Sequence, residues 1–201
     1  MECGESMILP YLPSTAMMRG YVRQRLEGDS RIRVWRGLLG SLRPRDLTRR
    51  EIAGAHGQRP VLLTVPIKGG AGIVKRGHPE CWTLSDHGRW RMMHLGAMEA
   101  AYGAAPYFDH FYPAIRSVIT EAHEGMPVAD FTSRLYTSLE DILGLESIIE
   151  YLRNMNDAEY QRVMVYAREK TVVEYADLSF LDVIFRKGLE SIFTLLGDSD
   201  C

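Results

Sequence analysis

Only three cysteines occur in the 201 residues, Cys3, Cys81 and Cys201, and no two of them form a CxxC pair. The odd number and wide spacing argue against a disulfide framework and suit a reducing compartment, so a cytoplasmic address is expected. No apolar run approaches the roughly 18 residues that a membrane helix requires, and Glu2 and Glu5 stand where a secretory leader would be basic. Neither membrane insertion nor a leader is expected. Catalytic and ligand-binding signatures are equally scarce: there is no HExxH, no GxSxG elbow, no GxxxxGK[ST] loop and no GxGxxG fingerprint. The six histidines show no paired metal-ligand spacing, so no metal is expected, and no cofactor is indicated. RNA-recognition, KH and helix-turn-helix signatures are lacking as well, which speaks against a nucleic-acid partner.

What is present is an ordinary globular composition, with 46% apolar residues and 24 Lys and Arg against 26 Asp and Glu. With no repeat and no low-complexity linker, a single domain over residues 1–201 is expected. The near-neutral total conceals a polarity. Residues 1–91 hold 16 Lys and Arg against 8 Asp and Glu, net +8, and residues 92–201 hold 8 against 18, net −10. Either the two halves pack with complementary fields, or the basic half collects an anionic ligand such as a nucleotide or phosphorylated sugar. Of the 24 basic residues 20 are Arg, whose planar fork suits phosphate and carboxylate.

Periodicity predicts a first helix at about 15–27 after a cap at Ser14, with Arg25 on its solvent face. The stretch Ile32 to Leu42 is Arg-rich and Gly-interrupted, and its strand character is left open. Glu51 to Gly57 and the β-branched run Val61 to Ile67 read as a hairpin, followed by a loop at Lys68 to Gly72 and a short strand at Cys81 to Leu84. Ser85 or Asp86 should cap a helix running to about Tyr102, with Trp90, His94, Ala97, Met98, Ala101 and Tyr102 on one face. Further helices are expected at about 109–123 and 128–143, short β-rich runs at 161–167 and 171–176, and helix again from Leu178 to Leu196 with a break at Gly188. The sum is an α+β fold, a small, mainly antiparallel sheet from the N-terminal half packed with helices, and a mostly helical C-terminal half.

His94 lies within an apolar helical stripe, one turn after Trp90 and one before Met98. It is either a core histidine bonded to a carbonyl or a general base facing a cleft, since imidazole titrates near neutrality. The glycines of Lys68 to Gly72 follow a strand as in a phosphate-binding loop, but the spacing does not match one and a surface loop is the simpler reading. Asp109 and His110 follow Pro106, Tyr107 and Phe108 at a helix start, where capping and packing compete with a pocket-lining role.

Four blocks of sequence bear on the family. They are Ile8 to Ser14 (ILPYLPS), Leu63 to Ile67 (LTVPI), Trp90 to Phe111 (WRMMHLGAMEAAYGAAPYFDHF) and Leu178 to Glu190 (LSFLDVIFRKGLE). In this order they resemble the WbqC-like protein family, in which a Trp, a His four residues later, an Ala-Tyr pair and a Pro-aromatic-Phe unit recur. The resemblance implies a cytoplasmic bacterial protein of α/β or α+β type with a place in O-antigen and other cell-surface polysaccharide biosynthesis. His94, Trp90, Tyr102, Pro106, Tyr107 and Phe108 match the family pattern. Where members commonly show Tyr-Arg-Asn-Arg, this chain has Asp46, Leu47, Thr48 and Arg49, so only the last Arg is kept. The expectation is a group-transfer enzyme acting on an activated sugar, with a nucleotide sugar as the type of anionic partner. In it Arg49 and Arg50 would hold phosphate or carboxylate, His94 would be the catalytic acid or base, and Trp90, Tyr102 and Tyr107 would line the substrate cleft. A noncatalytic binding or assembly protein using the same cleft is the alternative.

Overall fold

A computed structural model describes residues 9–26, 44–76, 79–154 and 178–191. The stretch Ile32 to Leu42 and the β-rich runs at 161–167 and 171–176 lie outside these residues. The described residues form seven α-helices and one antiparallel strand pair, an α+β fold.

Helix α1 (Thr15–Leu26) starts where the sequence places a cap: Ser14 Oγ accepts a 3.3 Å hydrogen bond from the Met17 amide. It buries Met18, Tyr21 and Val22. Arg25 is not on a solvent face. Its Nε lies 3.0 Å from Glu140 and its Nη2 lies 2.7 Å from Glu146, so it clamps α1 to two later helices.

Strands β1 (Arg49–Ile52) and β2 (Val61–Thr64) pair with Arg49 opposite Thr64 and Ile52 opposite Val61. The expected hairpin is real but shorter: 53–57 leaves the ladder in a 3₁₀ turn at Ala55–Gly57, and after the Val65 amide bonds the Thr48 carbonyl the chain from Pro66 on pairs with residues 83–85. Alternation puts Ile52 and Leu63 into the core with Arg50 on the same face, and Arg49, Glu51 and Leu62 on the outer face. Ser179 closes the free edge of β1 by donating from its amide to the Glu51 carbonyl at 2.9 Å.

Helix α2 (Gly70–Arg76) begins inside the stretch expected to be a loop. Ile73 and Val74 pack against the core, and that burial outweighs the poor helix propensity of Gly70 and Gly72. Residues 81–84 make isolated bridges, Thr83 with Pro127 and Leu84 with Ile67, without forming a strand. Helix α3 (Trp90–Tyr102) starts later than the sequence predicts, because Ser85 Oγ is taken by the His87 amide and Asp86 pairs with Arg91. Its inward stripe is Trp90, His94, Met98 and Tyr102.

Helices α4 (Phe108–Glu121) and α5 (Val128–Leu143) carry wide apolar faces, and Phe111, Ile115, Ile119, Phe131, Leu135 and Leu139 are buried. Gly144, at φ 58°, ends α5 in a left-handed cap and α6 (Leu145–Arg153) follows at once. Helix α7 (Leu181–Lys187) and a 3₁₀ turn at Gly188–Glu190 complete the described chain, with the break at Gly188 where the sequence places it. One hydrophobic cluster joins Tyr11, Trp82, Trp90, Phe131, Phe180 and Phe185. Among the described residues no helix is long and apolar enough to cross a membrane, and no three His, Cys, Asp or Glu side chains group as metal ligands.

Candidate functional site

Arg49 opens onto a cavity of about 570 Å³, in the size range of small-molecule sites. Arg45, Thr48 and Arg49 line one side, and Ser85 and His87 line another. Between them lie the half-buried Pro66 and the buried Val65 and Ile67, with Gly69, Gly70, Ala71 and Val74 from the start of α2 alongside. The glycines of Lys68 to Gly72 are thus on the rim of a cavity; Gly69 and Gly70 have φ of 86° and 61°, which glycine adopts without strain.

The cavity is cationic where Arg45 and Arg49 meet it. Arg45 Nε lies 3.7 Å from Asp46, whereas Arg49 makes no ion pair with any described residue. Both are exposed residues, the Arg45 side chain at 48%. Two guanidinium groups beside the hydroxyl of Thr64 are a donor set for phosphate or carboxylate, while the Thr48 hydroxyl donates to the Arg45 carbonyl at 3.3 Å. Beside Arg49, Leu47 is in the core and Thr48 lines the cavity, while Arg45 brings a second guanidinium to it.

The other residues singled out from sequence are placed differently. Arg50 is on the opposite face of β1 from Arg49, with its Nη2 3.0 Å from Met17 Sδ, and does not line the cavity. One strand position separates the two arginines and strand alternation sends them to opposite sides. Trp90 is buried, and its Nε1 donates to the Ser85 carbonyl at 3.1 Å, behind the His87 side of the cavity. Tyr102 is buried; its hydroxyl accepts from the Ala53 amide at 3.1 Å, and its ring meets Phe185 at 5.1 Å. Tyr107 is 39% exposed and packs on Gly188, away from the cavity.

His94 is 3% exposed and both its nitrogens are engaged. Tyr11 Oη donates to Nδ1 at 2.8 Å, and the ring N–H donates to the main-chain carbonyl of Thr64. That pattern assigns the neutral tautomer with Nδ1 as acceptor. Burial pushes the imidazole pKa down to about 4, with the bond to Thr64 opposing the shift. His94 therefore touches the back of a residue that lines the cavity, but not the cavity itself.

Arg45, Ser85 and His87 were not singled out as site residues by the sequence. Arg45 lies in one segment and Ser85 and His87 in another, and only the pairing of residues 48, 65–68 and 83–85 brings the two segments together. The glycines after Lys68 were the one local signal.

Matched against protein families, residues 45–179 fit the WbqC-like protein family. No curated protein and no solved structure matches the chain. The match takes in the LTVPI and Trp90-to-Phe111 blocks, and the two outer blocks pack onto it. Tyr11 stacks on His94 with ring centroids 5.5 Å apart, and Phe185 meets Tyr102 and Phe108, each at 5.1 Å. The matched residues cover well over half of the sequence and include every residue lining the cavity, and the chain belongs to the WbqC-like protein family.

Proposed function

We propose that the cavity binds the anionic part of an activated sugar or related precursor, and that the protein is an enzyme of cell-surface polysaccharide biosynthesis, of the O-antigen type, acting by group transfer. The observation that carries this reading is Arg49, a cation without an ion pair among the described residues, opening with Arg45 onto a cavity of about 570 Å³. A charged hydrogen bond from guanidinium to phosphate contributes about 1.5–3 kcal/mol. Calorimetric titration with nucleotide sugars should therefore show Arg49→Ala weakening binding by roughly 10- to 150-fold. Arg134→Ala, outside the cavity, should bind as the unaltered protein does. Equal small effects of the two substitutions would remove the anion site.

A noncatalytic binding protein using the same cavity is the second reading, and the placement of His94 favours it. With both nitrogens committed in the core, that imidazole has none to offer a substrate proton. Mass spectrometry of nucleotide sugar and candidate acceptors incubated with the protein separates the two: a transferred group means an enzyme, and binding without product means a carrier or assembly factor. The enzyme reading places the protein in the cytoplasm.

A further inference from the structure

The two polar sides of the cavity are held apart by main-chain pairing. On one flank of residues 65–67, the Val65 amide donates to the Thr48 carbonyl at 2.9 Å. On the other flank, the Ser85 amide donates to the Pro66 carbonyl and the Lys68 amide to the Thr83 carbonyl, each at 2.9 Å. Three backbone runs therefore lie side by side. The outer two are separated by two interstrand spacings, about 10 Å. Thr48 and Arg49 belong to one outer run, and Ser85 and His87 to the other or its continuation. The middle run contributes Val65, Pro66 and Ile67, which carry no side-chain hydrogen-bonding group.

Both flanks are braced from behind. Trp90 Nε1 holds the Ser85 carbonyl at 3.1 Å, and Ser85 Oγ accepts from the His87 amide at 3.2 Å, which fixes the turn that presents the imidazole. Across the floor, Thr64 is opposite Arg49 in the register and its carbonyl is held by His94. A single compact anion needs only the arginine flank. On the other flank Ser85 and His87 offer the donors and acceptors that hydroxyl groups use.

Resting on the reading of Arg45 and Arg49 as the anion site, we infer that the cavity is bipartite and takes a sugar phosphate lengthwise. The phosphate meets Arg45 and Arg49, the sugar ring lies over Val65 to Ile67, and its hydroxyls meet Ser85 and His87. The ligand class is a phosphorylated sugar, free or as the sugar end of a larger diphosphate, and not a free inorganic anion. His87 is the residue that distinguishes them.

Inorganic phosphate and glucose 1-phosphate form the pair of probes, since both present a phosphate and only one carries a sugar. Each is titrated, by chemical-shift perturbation, into the unaltered protein and into Arg49→Ala, His87→Ala and His87→Gln. The unaltered protein should bind glucose 1-phosphate at least about 10-fold more tightly than phosphate, the worth of one or two hydrogen bonds. Arg49→Ala should weaken both probes. His87→Ala should abolish most of the preference for the sugar phosphate while leaving phosphate binding unchanged, and His87→Gln, which keeps a donor and an acceptor, should restore part of it. Because His87 is exposed, its replacement leaves the core intact. Equal affinity of the unaltered protein for the two probes, or a preference that survives His87→Ala, overturns the bipartite cavity and leaves the anion site standing. Binding of neither probe overturns both.

Discussion

Tyr11 and His94, 83 positions apart, are joined by a 2.8 Å hydrogen bond from the phenol to Nδ1 and by stacked rings. The bond ties the Pro-rich opening segment to the middle of α3, and the same imidazole passes the constraint on to Thr64, opposite Arg49 in the strand pair. Leu12, next to Tyr11, is fully buried at φ 47°. It is held there by the Tyr11 amide on the Leu47 carbonyl at 2.8 Å and the Phe180 amide on the Pro13 carbonyl at 2.7 Å.

Tyr11→Phe keeps the ring stacking and removes only the hydroxyl, leaving Nδ1 as a buried acceptor without a donor. Urea denaturation should show a loss of about 1–3 kcal/mol. Unchanged stability would mean that Nδ1 gains nothing from the phenol.

His94 also sets an acid limit on stability. Its folded pKa of about 4 lies below the ordinary 6.5, so the unfolded chain takes up a proton that the folded chain refuses. Stability from this residue is fully present above about pH 6.5 and is lost as pH falls through 4, by up to about 3 kcal/mol. His94→Gln, which can accept from Tyr11 and donate to Thr64 but does not titrate, should show a flatter pH dependence between 4 and 6.5. Parallel curves for the two proteins would show that the imidazole is not the titrating group.

Gly188 stands at φ 61°, and a Cβ there would lie 2.7 Å from ring carbons of Tyr107. Gly188→Ala should cost about 2–5 kcal/mol from backbone strain together with overpacking. In the double variant with Tyr107→Ala the overlap is gone and the strain stays, so the combined cost should fall below the sum of the two single ones. Strict additivity in thermal melts would show that the rings and the glycine do not meet.

Arg25 and Tyr21 both reach Glu140, at 3.0 Å and 2.8 Å, and Arg25 also reaches Glu146. Glu140→Ala should loosen α1 from α5 by about 1 kcal/mol, more at low salt than at high. Amide hydrogen exchange in α1 reads this directly. Protection of α1 that is the same in both proteins would assign the docking of the helix to Met18 and Val22 alone.

Helices α3, α4 and α5 were legible because the signal is local: an apolar residue every third or fourth position must face the same side, and Trp90, His94, Met98 and Tyr102 do. The strand pair was legible from β-branched content and turn residues, although its ends were not, because the chain from Pro66 on leaves it to pair with residues 83–85, a contact that local composition does not report. The helix at Gly70–Arg76 was misread as loop because its two apolar residues are buried by distant segments, which no local propensity reports.

By itself the sequence determined the α+β class, the inward stripe of α3, the excess of arginine in the first half and the family, since composition, period and motif order are properties of the chain alone. Tertiary structure decided which arginine faces a cavity and which faces the core, because strand alternation turns Arg49 outward and Arg50 inward. It also decided that His94 bonds Tyr11 and Thr64 instead of facing the cavity, and that His87 joins Arg45 and Arg49 around it. Those relations depend on register and on contacts between segments far apart in the chain, and such contacts exist only once the backbone has paired.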